Sequence, residues 1–216
     1  MKKIIVIIIM FTTVFGFSQK KELRNAEKRL NEGFYNEALD ILSQIEGVII
    51  SSEQKYQAHY YYLLGWASKG DTNYDDAVPL LRKAIDLDNF DKYTEDAGIL
   101  IDQIEIELVN LAVQDNKNED FISASKRLYD AYLINPDKDE NVNYLYFAAS
   151  SSVNGNDYQV ALEYYNKLKK MNYTGIVSEY FITPVETQIE EKVSETEYNL
   201  FKSSKDYTNP RVGKTE

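Results

Sequence analysis

The sequence predicts an all-α protein, an α-solenoid of about four helical hairpins, that ends in a short β-hairpin and a helix. Three observations predict this fold. Apolar residues recur at a fixed spacing, polar or glycine-containing segments interrupt them at 31–33, 70–73, 115–120 and 154–157, and the pattern stops after Tyr173. The repeated positions are four pairs in which a small residue is followed 12 positions later by alanine: Ala26 and Ala38, Gly65 and Ala77, Ala112 and Ala124, and Ala149 and Ala161.

Each pair predicts one hairpin. Two antiparallel helices approach closely only where their side chains are small, so the two residues of a pair are expected to face each other. An aromatic residue stands three positions before each second alanine and a large residue four positions after it, which extends one face of the second helix. In repeat order these residues are Tyr35, Tyr74, Phe121 and Tyr158, and then Leu42, Leu81, Leu128 and Tyr165.

The repeated segments resemble the tetratricopeptide repeat family. The residues that carry the resemblance are Tyr61, Leu64, Gly65, Tyr74, Ala77, Leu81 and Ala84, and, for the second half of the motif, Ala124, Leu128, Ala131 and Pro136. The resemblance covers roughly residues 20 to 173. The second alanines are 39, 47 and 37 residues apart, whereas the family repeats about every 34 residues. Connections or helices must therefore be longer than in the family.

The largest surplus predicts a long first helix in the third repeat. Thr94 is expected to cap this helix, which would run to about Gln114. The helix carries two apolar stripes, which predicts neighbours on both of its sides. One stripe contains Ala97, Ile101, Ile104, Leu108 and Leu111, and the other contains Ile99, Ile106, Val109 and Val113.

The N-terminus predicts export. Lys2 and Lys3 precede an uncharged run at 4–15, and small residues follow at the positions that a signal peptidase inspects, so we expect cleavage between Ser18 and Gln19. An uncleaved membrane anchor is the alternative, but the run is shorter than the roughly 20 residues that span a bilayer. The processed protein is expected in the periplasm or outside the cell.

The segment after Tyr173 departs from the repeat. Residues 176–183 predict an extended strand that pairs with 188–193, followed by a helix from Ser194 to about Lys205, and one continuous helix from Thr183 is the alternative. The predicted organisation is a signal peptide at 1–18, a repeat domain at 19–175, a C-terminal hairpin and helix at 176–205, and a flexible tail at 206–216. A solenoid normally ends in a capping helix with a polar outer face. The polar ending from Asp206 is unlike such a helix, and repeats followed by an irregular, tyrosine-rich segment resemble longer exported repeat proteins of flavobacterial (Bacteroidetes) type. The chain is therefore expected to be a truncated member of such a longer family, or to self-associate through its open C-terminal end.

Composition and motifs argue against several classes of function. The net charge of −11 disfavours nucleic acid, and the absence of cysteine excludes thiolate chemistry and disulfides. His59, the single histidine, has no companion at a catalytic or metal-binding spacing. The alternating acidic residues that begin at Asp71 and Asp137 lack the glycine and glutamate of a calcium loop, and we interpret them as helix-capping turns. No enzymatic activity, cofactor or metal is expected.

The resemblance implies a groove lined by the first helices of successive repeats, which would bind a protein or peptide. On this sequence the lining positions are His59, Tyr62, Trp66, Lys69, Ile106, Val109, Val113, Asn116, Asn143 and Tyr146. The predicted function is a non-enzymatic interaction scaffold in the periplasm or cell envelope that holds its partner by apolar anchors. One alternative is a glycan-binding component of an envelope uptake system. Another is that Tyr62 and Trp66 simply pack against the long helix of the third repeat.

Overall fold

The computed structural model describes residues 19–175 and 177–215, and the predicted signal peptide lies outside them. Eight helices form four hairpins in chain order, which confirms the predicted fold class. They are α1 (19–31), α2 (Tyr35–Ile49), α3 (Gln54–Gly70), α4 (Tyr74–Leu87), α5 (Thr94–Lys117), α6 (Phe121–Ile134), α7 (Val142–Asn154) and α8 (Tyr158–Lys170). Each helix from α2 to α7 contacts the next helix along the chain, so the hairpins are stacked.

The paired small residues lie in the core, and all eight of them are buried. Gly65 shows why size matters there, because a Cβ atom at this position would lie 2.7 Å from Leu81 Cγ and 3.1 Å from the Leu81 backbone nitrogen. Only a glycine lets α3 and α4 approach this closely.

The four hairpin turns share one backbone conformation. The residue five positions before each second alanine has a positive φ, and these residues are Gly33, Thr72, Glu119 and Asn156. The next residue precedes the second helix, and at Asn73, Asp120 and Asp157 its side chain accepts a hydrogen bond from a backbone N–H in the first helical turn. Phe34 occupies this position in the first hairpin and supplies no such bond.

The start of α5 differs from the prediction. Thr94 is the first residue of the helix and not its cap. The carboxylate of Asp88 instead accepts hydrogen bonds from the backbone N–H groups of Tyr93 and Thr94 and from the Thr94 hydroxyl. The cap therefore comes from the preceding loop, where local spacing could not reveal it.

The second apolar stripe of α5 is not covered as predicted, although α5 itself contacts both α4 and α6. Ala97, Ile101, Ile104 and Leu108 are buried, but Ile99, Ile106 and Val113 are 48%, 60% and 46% exposed. The second stripe is therefore a surface feature, apart from the half-buried Val109.

Among the residues that the structure describes, the helical core forms three clusters joined by half-buried tyrosines. The first cluster contains Leu23, Leu42 and Leu63, the second Leu81, Ile104 and Ile134, and the third Leu128, Leu145 and Leu168, each with further buried neighbours. Tyr62 packs against both the first and the second cluster, and Tyr144 against both the second and the third. Packing is thus continuous along the stack.

The C-terminal segment forms a three-stranded antiparallel sheet in the order β2–β1–β3, from β1 (Val177–Pro184), β2 (Glu191–Val193) and β3 (Tyr207–Thr215). The expected pairing of the first two strands is present, and α9 (Glu195–Phe201) begins with a capping box between Ser194 and Glu197. One continuous helix from Thr183 is thereby ruled out. The prediction of a flexible tail at 206–216 is wrong for residues 207–215, because β3 pairs along β1.

Candidate functional site

The predicted groove positions lie on the first helices of three hairpins, α3, α5 and α7, but they differ greatly in accessibility. On α3, Lys69 Nζ lies 2.7 Å from Glu107 Oε1 on α5, and Glu107 Oε2 also accepts a hydrogen bond of 2.9 Å from the Tyr74 hydroxyl. These bonds hold α3, α4 and α5 together, so Lys69 is already engaged within the fold.

The rings of α3 stack on one another. His59 and Tyr93 are parallel with centroids 4.9 Å apart, Tyr93 stacks on Tyr62 at 5.3 Å, and Trp66 is tilted against Tyr62 at 6.0 Å. Burial raises the pKa of Tyr62 to about 12. Trp66 is half-buried and packs against the first core cluster. This part of the predicted groove is mainly packing surface.

His59 is neutral at pH 7. Desolvation by burial, followed by the nearby positive charge of Lys92, lowers its pKa from 6.5 to about 4. Glu27 Oε2 lies 3.5 Å from His59 Nε2, which is too long for a good hydrogen bond, and Nε2 has no hydrogen-bond partner among the described residues. Burial therefore dominates over the attraction of the half-exposed Glu27 carboxylate.

An aliphatic ridge on α5 contains two exposed residues of the predicted groove, Ile106 and Val113, and a third exposed residue, Ile99, that was not assigned to the groove. We define it as Ile99, Ile106 and Val113, which are seven residues apart and so lie about 10.5 Å apart along the helix. The exposed polar residues Asp102, Gln103 and Asn110 border the ridge. Asn116, one turn further on, accepts a hydrogen bond of 3.1 Å from Ser151 and thereby ties α5 to α7.

Beyond the ridge, the groove positions of α7 belong to a separate cavity. Asn143 accepts a hydrogen bond of 2.6 Å from the Tyr173 hydroxyl, and Tyr146 is exposed. Both line a cavity of about 1030 Å³ together with Phe147, Tyr165 and the loop after α8. Seven of the ten predicted residues thus lie in the ring stack, the ridge or this cavity, whereas Lys69, Asn116 and the half-buried Val109 lie outside all three.

A second cavity, of about 520 Å³, was not foreseen from the sequence. It lies beside His59 and combines four cationic side chains with two carboxylates, from Lys20, Arg24, Lys55, Lys92, Glu27 and Asp88. Its lining comes from α1, α3 and the loop before α5. The one local signal was the spacing of Lys20 and Arg24, which places them on one face of α1.

The acidic runs take structural roles. Asn73 caps α4, and the buried Asn141 donates a hydrogen bond of 3.1 Å to the buried Glu105, which links the start of α7 to α5. Within residues 19–175 and 177–215, no three His, Cys, Asp or Glu side chains are grouped as metal ligands would be. No helix within these two described ranges is long and apolar enough to cross a membrane.

Comparison with protein families gives a match to the tetratricopeptide repeat at residues 58–91. This range covers most of α3, all of α4 and the beginning of the loop before α5. Comparison with curated proteins gives no match. Tetratricopeptide repeats generally mediate protein–protein interactions and are typically non-enzymatic. The second hairpin is thus similar to a tetratricopeptide repeat, and it stands in a stack of four helical hairpins.

Proposed function

We propose that this chain is a non-enzymatic scaffold of the periplasm or cell envelope that binds a segment of a protein partner along α5. The aliphatic ridge carries the proposal, because three large aliphatic side chains in one line are exposed to water with polar residues around them. Covering such a ridge removes apolar surface from water, and apolar anchors inside a polar rim are typical of protein interfaces.

The spacing of the ridge favours a helical segment. Anchors that meet Ile99, Ile106 and Val113 would also be about 10.5 Å apart, which is the spacing of residues i and i+7 on a partner helix. The proposed partner therefore carries an amphipathic helix with apolar residues at this interval.

A glycan is a weaker candidate for the same surface. Sugar rings would need exposed aromatic faces, but Tyr62 stacks on Tyr93 and Trp66 packs against the first core cluster. The accessible side chains of the ridge are aliphatic, and they suit a protein segment better than a hydroxyl-rich ring.

The proposed location rests on the sequence of residues 1–18, with its two lysines and uncharged run. N-terminal sequencing of the protein purified from cells tests it. A mature chain that begins at Gln19 supports export, whereas a chain that retains Met1 contradicts it.

Affinity purification from an envelope extract tests the binding surface. Three proteins serve as bait: the processed chain, the double variant Ile106→Asp with Val113→Asp, and the control Leu133→Asp. The control places an aspartate on an exposed apolar residue of α6. A partner retained by the parent and by Leu133→Asp but lost from the double variant supports the proposal. Retention by all three proteins, or retention only of glycans on an array, would contradict it.

A further inference from the structure

The fourth hairpin exposes positions that the first three hairpins bury. Four residues after the second alanine, Leu42 and Leu81 are 0% exposed and Leu128 is 4% exposed, whereas Tyr165 is 38% exposed. The sequence pattern is therefore the same in all four repeats, but its burial is not.

The aromatic residue that starts each second helix behaves in the same way. A Cβ atom at Gly70 would lie 2.2 Å from the Tyr35 ring, so Tyr35 packs directly on the following hairpin. Phe121 likewise packs beside Gly155, where a Cβ atom would come within 3.3 Å of Phe121 Cβ. The equivalent Tyr158 is 63% exposed and its neighbour Leu162 is 57% exposed. In the earlier repeats, the next hairpin packs against the equivalent positions.

We define the end face as Tyr146 and Phe147 on α7 and Tyr158, Leu162 and Tyr165 on α8, all of which are exposed. The chain leaves α8 through a turn at Asn172, which has a positive φ, and enters β1 at Val177. Neither the sheet nor α9 buries the end face.

We propose that the end face is a two-fold interface with a second copy of this chain. The five residues carry no formal charge, although the chain has a net charge of −11. Lys169, one turn beyond Tyr165 on α8, lines the adjoining cavity, so repulsion between two copies is confined to that edge of the end face. A two-fold axis places the same patch on both sides of the contact and closes the assembly at two subunits.

Two of the three tyrosine hydroxyl groups of the end face already have hydrogen-bond partners, which lowers the cost of burying these two rings. The Tyr158 hydroxyl donates a hydrogen bond of 2.8 Å to Asn156 Oδ1, and the Tyr165 hydroxyl lies 3.3 Å from Ser150 Oγ. The rings can therefore be covered while their hydroxyls keep partners within their own chain. The cavity of about 1030 Å³ beside Tyr146 and Phe147 has room for side chains of the second copy.

The opposite end of the stack is not a suitable surface for the end face of a second copy. The exposed residues of α1 include Lys20, Lys21, Arg24 and Lys28. Apolar side chains placed against these cations would desolvate them without compensation. Head-to-head pairing of end faces is thus favoured over head-to-tail stacking, which would produce an open fibre.

Sedimentation equilibrium of the processed chain over a wide concentration range tests the proposal. The parent is expected to form a dimer, and Phe147→Glu with Leu162→Glu is expected to weaken it by at least about tenfold through four buried carboxylates. Both positions are exposed in the single chain, so helicity and the unfolding midpoint are expected to change little. Leu133→Glu, on α6, is the matched control and is expected to remain dimeric.

A monomer at every concentration would overturn the proposal, as would a dimer that the double variant does not weaken. Species that grow continuously with concentration would indicate head-to-tail stacking instead. The ridge variants Ile106→Asp and Val113→Asp are expected to leave the mass of the dimer unchanged. Loss of dimer formation and loss of partner binding can therefore be told apart.

Discussion

His59 makes the stability of the fold depend on pH. Its pKa is about 4 in the folded protein and about 6.5 when it is exposed, so the unfolded chain binds a proton more readily. The contribution of neutral His59 is fully present above pH 6.5 and is lost progressively as the pH falls toward 4, by up to roughly 3 kcal/mol. Urea unfolding at pH 7.5 and at pH 5 measures this loss.

The matched control for His59 is His59→Phe, which keeps an aromatic ring against Tyr93 but cannot bind a proton. Acidic groups contribute their own pH dependence to both proteins, so the comparison isolates the histidine. The variant is expected to lose less stability than the parent between pH 7.5 and pH 5. Equal losses in the two proteins would show that burial does not hold His59 neutral.

The first hairpin turn lacks a side-chain cap, because Phe34 stands where the other three turns have asparagine or aspartate. The φ and ψ of Phe34, −90° and 68°, match the −88° and 76° of Asn73, which does cap its helix. Phe34→Asn is therefore expected to supply the missing hydrogen bond at the start of α2 and to raise the free energy of unfolding by about 1 kcal/mol. The reciprocal change Asp120→Ala is expected to lower it by about the same amount. Chemical denaturation measures both, and a Phe34→Asn protein less stable than the parent would refute the shared turn geometry.

At the scale of the helices, replacing Gly65 and Gly47 by alanine is expected to change the stability of the protein in opposite directions. Gly65→Ala places a methyl group against Leu81 between α3 and α4 and is expected to destabilise the protein by roughly 1–3 kcal/mol. At Gly47 in α2 nothing lies within 4 Å of the new Cβ, so Gly47→Ala is expected to stabilise by about 0.5–1 kcal/mol through better helix propensity. Thermal unfolding followed by circular dichroism distinguishes them. Two changes of the same sign would mean that contact at Gly65 does not limit the helix spacing.

The helices could be predicted because their signals are local and repeated. One spacing of 12 residues located every hairpin, and the helices begin directly after Asn73, Asp120 and Asp157. The Asp88 cap could not be predicted in the same way, since its carboxylate acts five and six residues away across an irregular loop. β3 was missed because Asn209 and Pro210 indicate a turn, and its strand conformation depends on pairing with the distant β1.

At the scale of the whole molecule, two tyrosines connect the three core clusters. Tyr144→Ala is expected to weaken the coupling of the fourth helical hairpin to the rest, because a stack holds together through contacts between neighbours and Tyr144 is one of those contacts. Trp66 is the single tryptophan and lies against the first cluster, so its fluorescence reports on the N-terminal part alone. In the parent, the fluorescence and circular dichroism transitions are expected to coincide. In the variant, part of the circular dichroism signal is expected to change at lower denaturant, and coincident transitions would refute the coupling role.

The candidate site was less predictable than the fold. The helical spacing identified positions on one side of the first helices, but it could not tell which of them touch other side chains. Ile106 and Val113 are exposed, whereas His59 and Tyr62 are covered by Tyr93, which stands at the start of α5 and outside the repeated motif. Accessibility depends on such contacts between segments, and a spacing pattern within one segment does not contain them.

The irregular edge strand β3 disfavours aggregation through the sheet. β3 is an edge strand, and its register against β1 shifts between Phe181 and Thr183, opposite Asn209 and Pro210. Proline offers no N–H to a further strand, and Asn209, with a φ of 50°, bends the backbone away from extended geometry. Such an edge is a poor template for the strand-by-strand growth of amyloid. The sheet is thereby protected from open-ended polymerisation, in a protein that would otherwise present a nine-residue strand to every neighbouring molecule.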